Sequence, residues 1–242
     1  VNALALMSIG TKTVLITNPR DLKSVVTAMK ADPPTLITGV NTLFNALINF
    51  KDFTNLDFSK LKVTVGGGMA VQRPVAEKWQ KLTGCPLSEG YGMTEASPVI
   101  SCNPLDETGQ IGTIGMPVPS TDVRIVGEDG SVLPQGEVGE IQVKGPQVMK
   151  GYYNRPEATA DTIKDGWLCT GDIGVMQKDG FFKIVDRKKD MILVSGFNVH
   201  PNEIEDFVAT HDKVLEVAAI GVPDEKSGEV VKIFVVKKDN SL

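Results

Sequence analysis

Hydrophobic and polar positions change rhythm twice along the chain. Thr13 to Thr17 (TVLIT) is a β-branched run that predicts a strand, and Pro19-Arg20-Asp21 then opens a helix through Lys30. Pro33-Pro34 breaks that helix, and Thr35 to Thr38 reads as the next strand. A helix from about Asn41 to Phe50 sets Leu43, Leu47 and Phe50 on one face. Leu61 to Val65 predicts a strand running straight into Gly66-Gly67-Gly68, with a helix following from about Val71 to Leu82. Alternating strand and helix predict a parallel sheet covered by helices, an α/β subdomain over residues 1–108.

From Gly109 the rhythm shortens to dense glycine and proline between short alternating strands. Val123 to Val126 and Val138 to Lys144 are the clearest, with Glu128-Asp129-Gly130-Ser131 as the turn between apolar stretches. Residues 109–187 therefore predict a small antiparallel β subdomain, including a strand from Phe181 to Val185. The third rhythm, residues 188–242, is α+β. Strand Met191 to Val194 is followed by a helix from Pro201 to Thr210 with proline at its start, then strands Glu216 to Ile220 and Val230 to Lys237. It is too short to close a good core and reads as the start of a truncated C-terminal lobe. The opening VNALALMSIG reads as the end of a buried helix.

At 242 residues and 41% apolar, the chain can bury one large core or two smaller ones. Lysine plus arginine number 25 against 30 acidic residues, a net charge of −5 that argues against a nucleic-acid binder. The three cysteines, Cys85, Cys102 and Cys169, form no CxxC pair, so neither a disulfide framework nor a zinc site is suggested, and a reducing cytoplasm is the simplest setting. No run approaches the length of a membrane span, and the first residues lack the basic leader of a signal peptide. Peripheral association at the inner membrane remains compatible with this composition, although no strongly basic amphipathic helix is present to carry it.

Several clusters are chemically suggestive, and each has a plain alternative. Gly66-Gly67-Gly68 lets backbone approach a flat ligand or phosphate closely, or else makes a tight strand–helix turn. In Gly90 to Glu95 (GYGMTE), Tyr91 offers a ring for stacking on a base, and Gly90 and Gly92 let the backbone bend. The Thr94 hydroxyl suits a phosphate oxygen, and the Glu95 carboxylate suits Mg²⁺. The same residues also fit a helix start capped by Thr94. Asp172, expected in a turn, could accept from vicinal ribose hydroxyls or be a surface aspartate. The fork of Arg187, after its strand, suits ribose or phosphate oxygens or a solvated strand end. Lys188-Lys189-Asp190 sit at the lobe junction as hinge candidates or as a solvated charge run. His200 and His211 lack any ligand pattern, and Glu203, Glu205 and Asp206 read as an exposed helix face.

Taken in order, GGG, GYGMTE, GEVGEIQVKGPQVMKGYYNRPEAT, GWLCTGD and VDRKKDMILVSGFNVHPNEIE resemble the motifs of the adenylate-forming superfamily of acyl-CoA synthetases, adenylation domains and luciferase. The details of GPQVMKGYYNRPEAT and SGFNVHPNEIEDFV look most like bacterial long-chain fatty acid–CoA ligases. The resemblance implies part of the large adenylate-forming N-terminal domain, followed by a mobile C-terminal lobe. It implies ATP, Mg²⁺ and coenzyme A, with a fatty acid as substrate. Gly67, Gly68, Tyr91 and Gly92 would line the adenine. Thr94 would touch phosphate, Glu95 would ligate Mg²⁺, and Asp172 and Arg187 would hold the ribose. Lys189 would be the hinge, and Ser195 and Gly196 would face the coenzyme A channel after the lobe swings. A homodimer is compatible with this reading.

The family's phosphate loop would lie before Val1 and its catalytic lysine beyond Leu242, so this stretch is expected to be a fragment unable to make acyl-AMP usefully alone. The rival readings are a medium-chain or aryl acid–CoA ligase, a carrier-protein adenylation domain, and a non-catalytic nucleotide-binding module.

Overall fold

A computed structural model describes residues 6–106 and 108–238 of the chain. Asp21 caps helix α1 (Leu22–Ala31), its carboxylate accepting the Ser24 amide at 3.1 Å. The cap satisfies a first-turn N–H that no residue of the helix can reach. After the Pro33-Pro34 break come β1 (Leu36–Gly39), α2 (Asn41–Ile48) and the short α3 (Lys51–Thr54). β2 (Val63–Gly66) leads through the glycines to α4 (Arg73–Thr83), which stops at Gly84 in the left-handed conformation that favours glycine. β3 (Leu87–Gly92), β4 (Val99–Cys102) and β5 (Met116–Pro117) complete a sheet in the order β1-β2-β3-β4-β5. The first three strands are parallel, as the alternation predicts, while β4 and β5 fold back antiparallel.

Phe44, Leu47, Phe53 and Trp79 are fully buried between this sheet and its helices. Phe44 meets the Trp79 ring edge-on at 4.8 Å, and the indole N–H donates to Thr64 Oγ1 at 3.2 Å. Burial of the large ring thus leaves no polar atom unpaired.

A second sheet, all antiparallel, contains β6 (Asp122–Val126), β7 (Val138–Lys144), β9 (Trp167–Met176) and β10 (Phe182–Arg187). Its order is β10-β9-β7-β6, with helix α5 (Pro156–Thr162) feeding the two-residue β8 (Ile163–Lys164) on β9. Ile100 and Ile114 pack with Ile125, Ile141, Val143, Leu168 and Phe182 in its core. The two sheets are stitched where Ile114 N–H donates to Phe182 O at 2.8 Å and Phe182 N–H to Gly115 O at 2.9 Å.

A third sheet, β12-β11-β14-β13, is built from β11 (Ile192–Val194), β12 (Phe197–Val199) and the long hairpin of β13 (Val214–Asp224) and β14 (Gly228–Lys237). Helix α6 (Pro201–Ala209) packs on it. Two contacts bind this unit to the others. Asn45 Nδ2 donates to Leu215 O at 2.9 Å. Asp186, buried at the end of β10, accepts Arg187 N–H at 2.7 Å and the Asn202 amide in the first turn of α6 at 3.2 Å. Asn202 answers by donating its side-chain N–H to Val185 O at 3.3 Å. His200, the N-cap of α6, makes no side-chain cap bond, so Asp186 supplies that function from another sheet.

Some expected elements differ. Thr13 to Thr17 forms no strand, and Val14 and Leu15 are exposed. β1 is the edge of its sheet, and strand propensity without a neighbour to pair with does not make a strand. Val1 to Ala5 lie outside the described residues; Leu6 to Ser8 are helical, but Met7 and Ile9 are exposed rather than buried. Asp172 lies inside β9, not in a turn, and Arg187 ends β10 rather than following it.

Candidate functional site

The ends of β2 and β3 open into a cleft of about 1110 Å³. An open sheet places a ligand crevice at the carboxyl ends of its parallel strands. The cleft is lined by Gly68, Tyr91, Gly92, Thr94, Glu95, Asp172, Arg187 and Lys189, residues drawn from two sheets and their connections.

At its centre the Tyr91 hydroxyl donates to Asp172 Oδ2 at 2.5 Å, and Arg187 Nε lies 3.5 Å from Asp172 Oδ1. Asp172 and Arg187 are direct cross-strand partners on β9 and β10. A bulge aims the aspartate. Between the pairs Gln142–Cys169 and Glu140–Ile173, three residues of β9 oppose the single Ile141, with Gly171 at φ 72° taking the bend. Thr170 Oγ1 closes the bulge by donating to Ile141 O at 2.8 Å. Burial pushes the Asp172 carboxyl above its ordinary range, against the opposing pull of Tyr91 and Arg187. Burial, then the neighbouring aspartate, drives the Tyr91 phenol well upward, so its proton stays in place as a donor. Each carboxylate oxygen carries two lone-pair sites, which leaves Asp172 capacity to accept from a diol in the cleft.

Just after β3, Thr94 to Ala96 form one 3₁₀ turn. The Glu95 backbone carbonyl accepts Met149 N–H at 2.7 Å, and its carboxylate Oε1 accepts the Tyr152 hydroxyl, also at 2.7 Å. Among the described residues no group of three or more His, Cys, Asp or Glu is placed to hold a metal. A lone carboxylate is nonetheless the donor set that magnesium uses when nucleotide phosphates supply the other oxygens.

The glycine loop is held from both sides. Glu89 Oε1 accepts Val71 N–H at 3.1 Å, and Asn41 Oδ1 accepts Gln72 N–H at 3.0 Å. Gly68, at φ 79°, lines the cleft; Gly67 lies behind it, its amide bonded to Gly39 O at 3.1 Å, where a side chain would press on Gly90 O. Desolvation, with a smaller push from Asp206, raises Glu89 from 4.5 to about 8 despite the Val71 bond. Its folded-state pKa therefore exceeds the unfolded one. Its contribution to stability is complete below pH 4.5 and is lost as pH rises through 8. Glu89→Gln, which keeps an acceptor for Val71, is expected to melt increasingly above wild type as pH is raised from 5 to 8.5. The ceiling is about 5 kcal/mol, at 1.36 kcal/mol per pKa unit, and water in the cleft reduces it. Thermal melts of both proteins across that range check this.

Lys188 is tied to the second sheet, its N–H donating to Gly171 O at 2.9 Å and its Nζ lying 3.5 Å from Glu140 Oε2. After Lys189 the turn is closed by Asp190 and Met191, whose N–H groups both donate to Arg187 O, at 3.0 and 3.2 Å. Glu205 and Asp206 are not an idle helix face: both line the cleft, and Glu205 accepts Ala219 N–H at 2.8 Å. Periodicity cannot distinguish a face turned to a water-filled cleft from one turned to bulk solvent. Ser195 and Gly196 form the exposed turn between β11 and β12 and are not among the cleft's lining residues. Sequence reasoning also gives Tyr152 and Glu89 no role. The signal for Tyr152 was its place in the GPQVMKGYYNRPEAT stretch, and for Glu89 its position immediately before Gly90.

Comparison with known proteins places the chain in a family. The profile of the AMP-binding enzyme family matches residues 1–153, and that of the AMP-binding enzyme C-terminal domain matches residues 203–242. The chain belongs to the AMP-binding enzyme family. Within it, the chain is 61% identical over its whole length to the long-chain-fatty-acid–CoA ligase of Yersinia pestis and 60% identical to that of Escherichia coli. It spans 43% of the length of each of these relatives. Among solved structures, an anthranilate CoA ligase in complex with anthranoyl-AMP superposes with a TM-score of 0.90 at 28% identity, covering 96% of this chain and 45% of that one. The mixed α/β architecture is thus that of AMP-binding enzymes.

Proposed function

We propose that the full-length protein to which this chain belongs activates long-chain fatty acids with ATP and transfers them to coenzyme A. The observation that carries the reading is the convergence of Tyr91, Asp172 and Arg187 in a cleft that Thr94 and Glu95 also line. A nucleotide needs a flat stacking face, a diol acceptor and a phosphate-facing side, and in this reading Tyr91, Asp172 with Arg187, and Thr94 with Glu95 serve those needs in turn. The identity to long-chain ligases supports the choice of acid.

The fatty carboxylate attacks the α-phosphorus of ATP, releasing pyrophosphate, and the coenzyme A thiol then attacks the acyl carbonyl of acyl-AMP, releasing AMP. In this scheme Gly67, Gly68, Tyr91 and Gly92 shape the adenine side, Asp172 and Arg187 orient the ribose, and Thr94 donates to phosphate. Glu95 would hold Mg²⁺, which supplies neutralisation of phosphate charge. Positioning and preorganised charge carry such chemistry. Residues 1–108 and 109–187 form the two subdomains of the adenylating domain, with 188–242 opening a lobe that turns about Lys189. Ser195 and Gly196 then serve the thiol channel.

A cytoplasmic location, with peripheral contact at the inner membrane, and a homodimer complete the proposal. Vesicle flotation and sedimentation test those two. Among the described residues no helix is long and apolar enough to cross a membrane.

ATP–pyrophosphate exchange by the full-length protein, measured without coenzyme A against acids from short to long, is expected to rise with chain length. Exchange with aryl acids alone would retain the mechanism and overturn the substrate.

A further inference from the structure

The Gly151 to Thr162 segment has a built structure that the scheme above leaves without a task. Gly151 holds a φ of 151°, and a Cβ there would come within 2.6 Å of Thr159 Cγ2, so glycine is required. Tyr152 N–H donates to Thr159 Oγ1 at 2.9 Å, and that hydroxyl donates to Arg155 O at 2.9 Å, at the start of α5. Glycine, threonine and helix together fix one thing: the backbone from which the Tyr152 ring reaches Glu95. Residue 95 is held by two bonds, one to its carbonyl from Met149, just before this segment, and one to its carboxylate from Tyr152 within it. The neighbouring Tyr153 is 91% exposed and has no such contact.

We propose that Tyr152 is a positioning residue for the metal–nucleotide complex, its hydroxyl fixing one carboxylate oxygen of Glu95 so that the other is presented to the cation. The proposal rests on the reading of Glu95 given above. A carboxylate with one oxygen already accepting a hydrogen bond loses a rotamer choice before the ligand arrives, and groups that orient a metal ligand in this way strongly affect metal affinity. Tyr152 reaches Glu95 from 57 residues along the chain, so the bond also clamps the 3₁₀ turn to the second sheet's connection.

The test uses the full-length protein with Mn²⁺ as a paramagnetic stand-in for Mg²⁺ and α,β-methylene-ATP as a non-reacting nucleotide. Mn²⁺ affinity is read by electron paramagnetic resonance, and metal-free nucleotide affinity by calorimetry. Tyr152→Phe is expected to weaken Mn²⁺ about tenfold, the low end for loss of an orienting group. Nucleotide affinity without metal should stay unchanged, as should Mn²⁺ binding by Tyr153→Phe. In the exchange assay, saturating Mg²⁺ should restore the Tyr152→Phe rate, which a merely structural defect would not allow. If Tyr152→Phe binds Mn²⁺ like wild type while Glu95→Gln does not, Tyr152 has no positioning role and the Glu95 assignment survives. If Glu95→Gln also binds normally, the metal assignment itself is wrong and the proposal falls with it. The phenylalanine ring fills the same space at an exposed position, so loss of the fold is not expected; a melt within about 0.5 kcal/mol of wild type confirms that the comparison is fair.

Discussion

Asp172→Ala in the full-length protein is expected to lower ATP–pyrophosphate exchange about a hundredfold or more, the scale seen when a positioning contact is lost. The reasoning starts from the cluster itself. Asp172 takes the Tyr91 hydroxyl on one oxygen and faces Arg187 with the other, so its removal unties both neighbours at once. Tyr91 would keep a half-buried hydroxyl without its acceptor, at a cost of about 1–3 kcal/mol. Its ring would then no longer be held at one angle to the cleft. Asp172→Asn separates the two consequences. The amide oxygen can still accept from Tyr91, which preserves the ring and most of the stability, but the charge facing Arg187 is gone and one acceptor becomes a donor. Asparagine should therefore melt close to wild type and exchange slowly, whereas alanine should be poor in both. Exchange by the alanine variant within threefold of wild type would rule out the ribose role.

Gly92→Ala is expected to damage fold and site together. Gly92 pairs with Val99 across the β3–β4 turn, and a methyl group on it would overlap the Pro98 carbonyl oxygen. That carbonyl is not free to retreat, because it accepts Met93 N–H at 2.8 Å. The clash is between backbone and backbone, which no rotamer change relieves. The cost should reach the upper end of overpacking, about 3 kcal/mol or more. Relief requires the turn to open, and Thr94 and Glu95 lie within it. A lower melting temperature accompanied by weakened nucleotide binding is the expected result. A variant that melts and binds normally would mean the turn is looser than its geometry implies.

The glycine also illustrates what could be read from the chain and what could not. Gly92 was legible as special, as a point where the backbone could bend around a nucleotide; the structure adds close packing against Pro98 as a physical reason for glycine there. The parallel strands, the antiparallel middle and the strand Val138–Lys144 follow from periodicity, because each buries one face or two in the expected way. Tyr91, Thr94, Glu95, Asp172 and Arg187 were recognisable as site candidates from their motifs, and they share one cleft. The position of Asp172 in a bulge was harder to foresee. Gly171 between Thr170 and Asp172 looks like a turn when the strand continuing through it cannot be seen. Thr13 to Thr17 failed for the opposite reason: local propensity was strong, but the segment pairs with no strand among the described residues. Glu89 and Glu205 were invisible because burial of a charge is decided by elements far away in sequence.

One last consequence concerns the tie between Asp186 and Asn202. It spans the Lys188 to Asp190 turn, joining a residue just before that turn to one at the start of α6. A rotation of the third sheet about the turn would break the Asp186–Asn202 and Asn202–Val185 bonds at the outset, leaving a carboxylate only 3% exposed with the Arg187 N–H as its remaining partner. Small excursions are therefore penalised as heavily as large ones, since the loss falls in the first few degrees and water must then enter to rehydrate the charge. Were the third sheet to turn about Lys189 as proposed, the joint would act as a catch with two settings rather than as a spring.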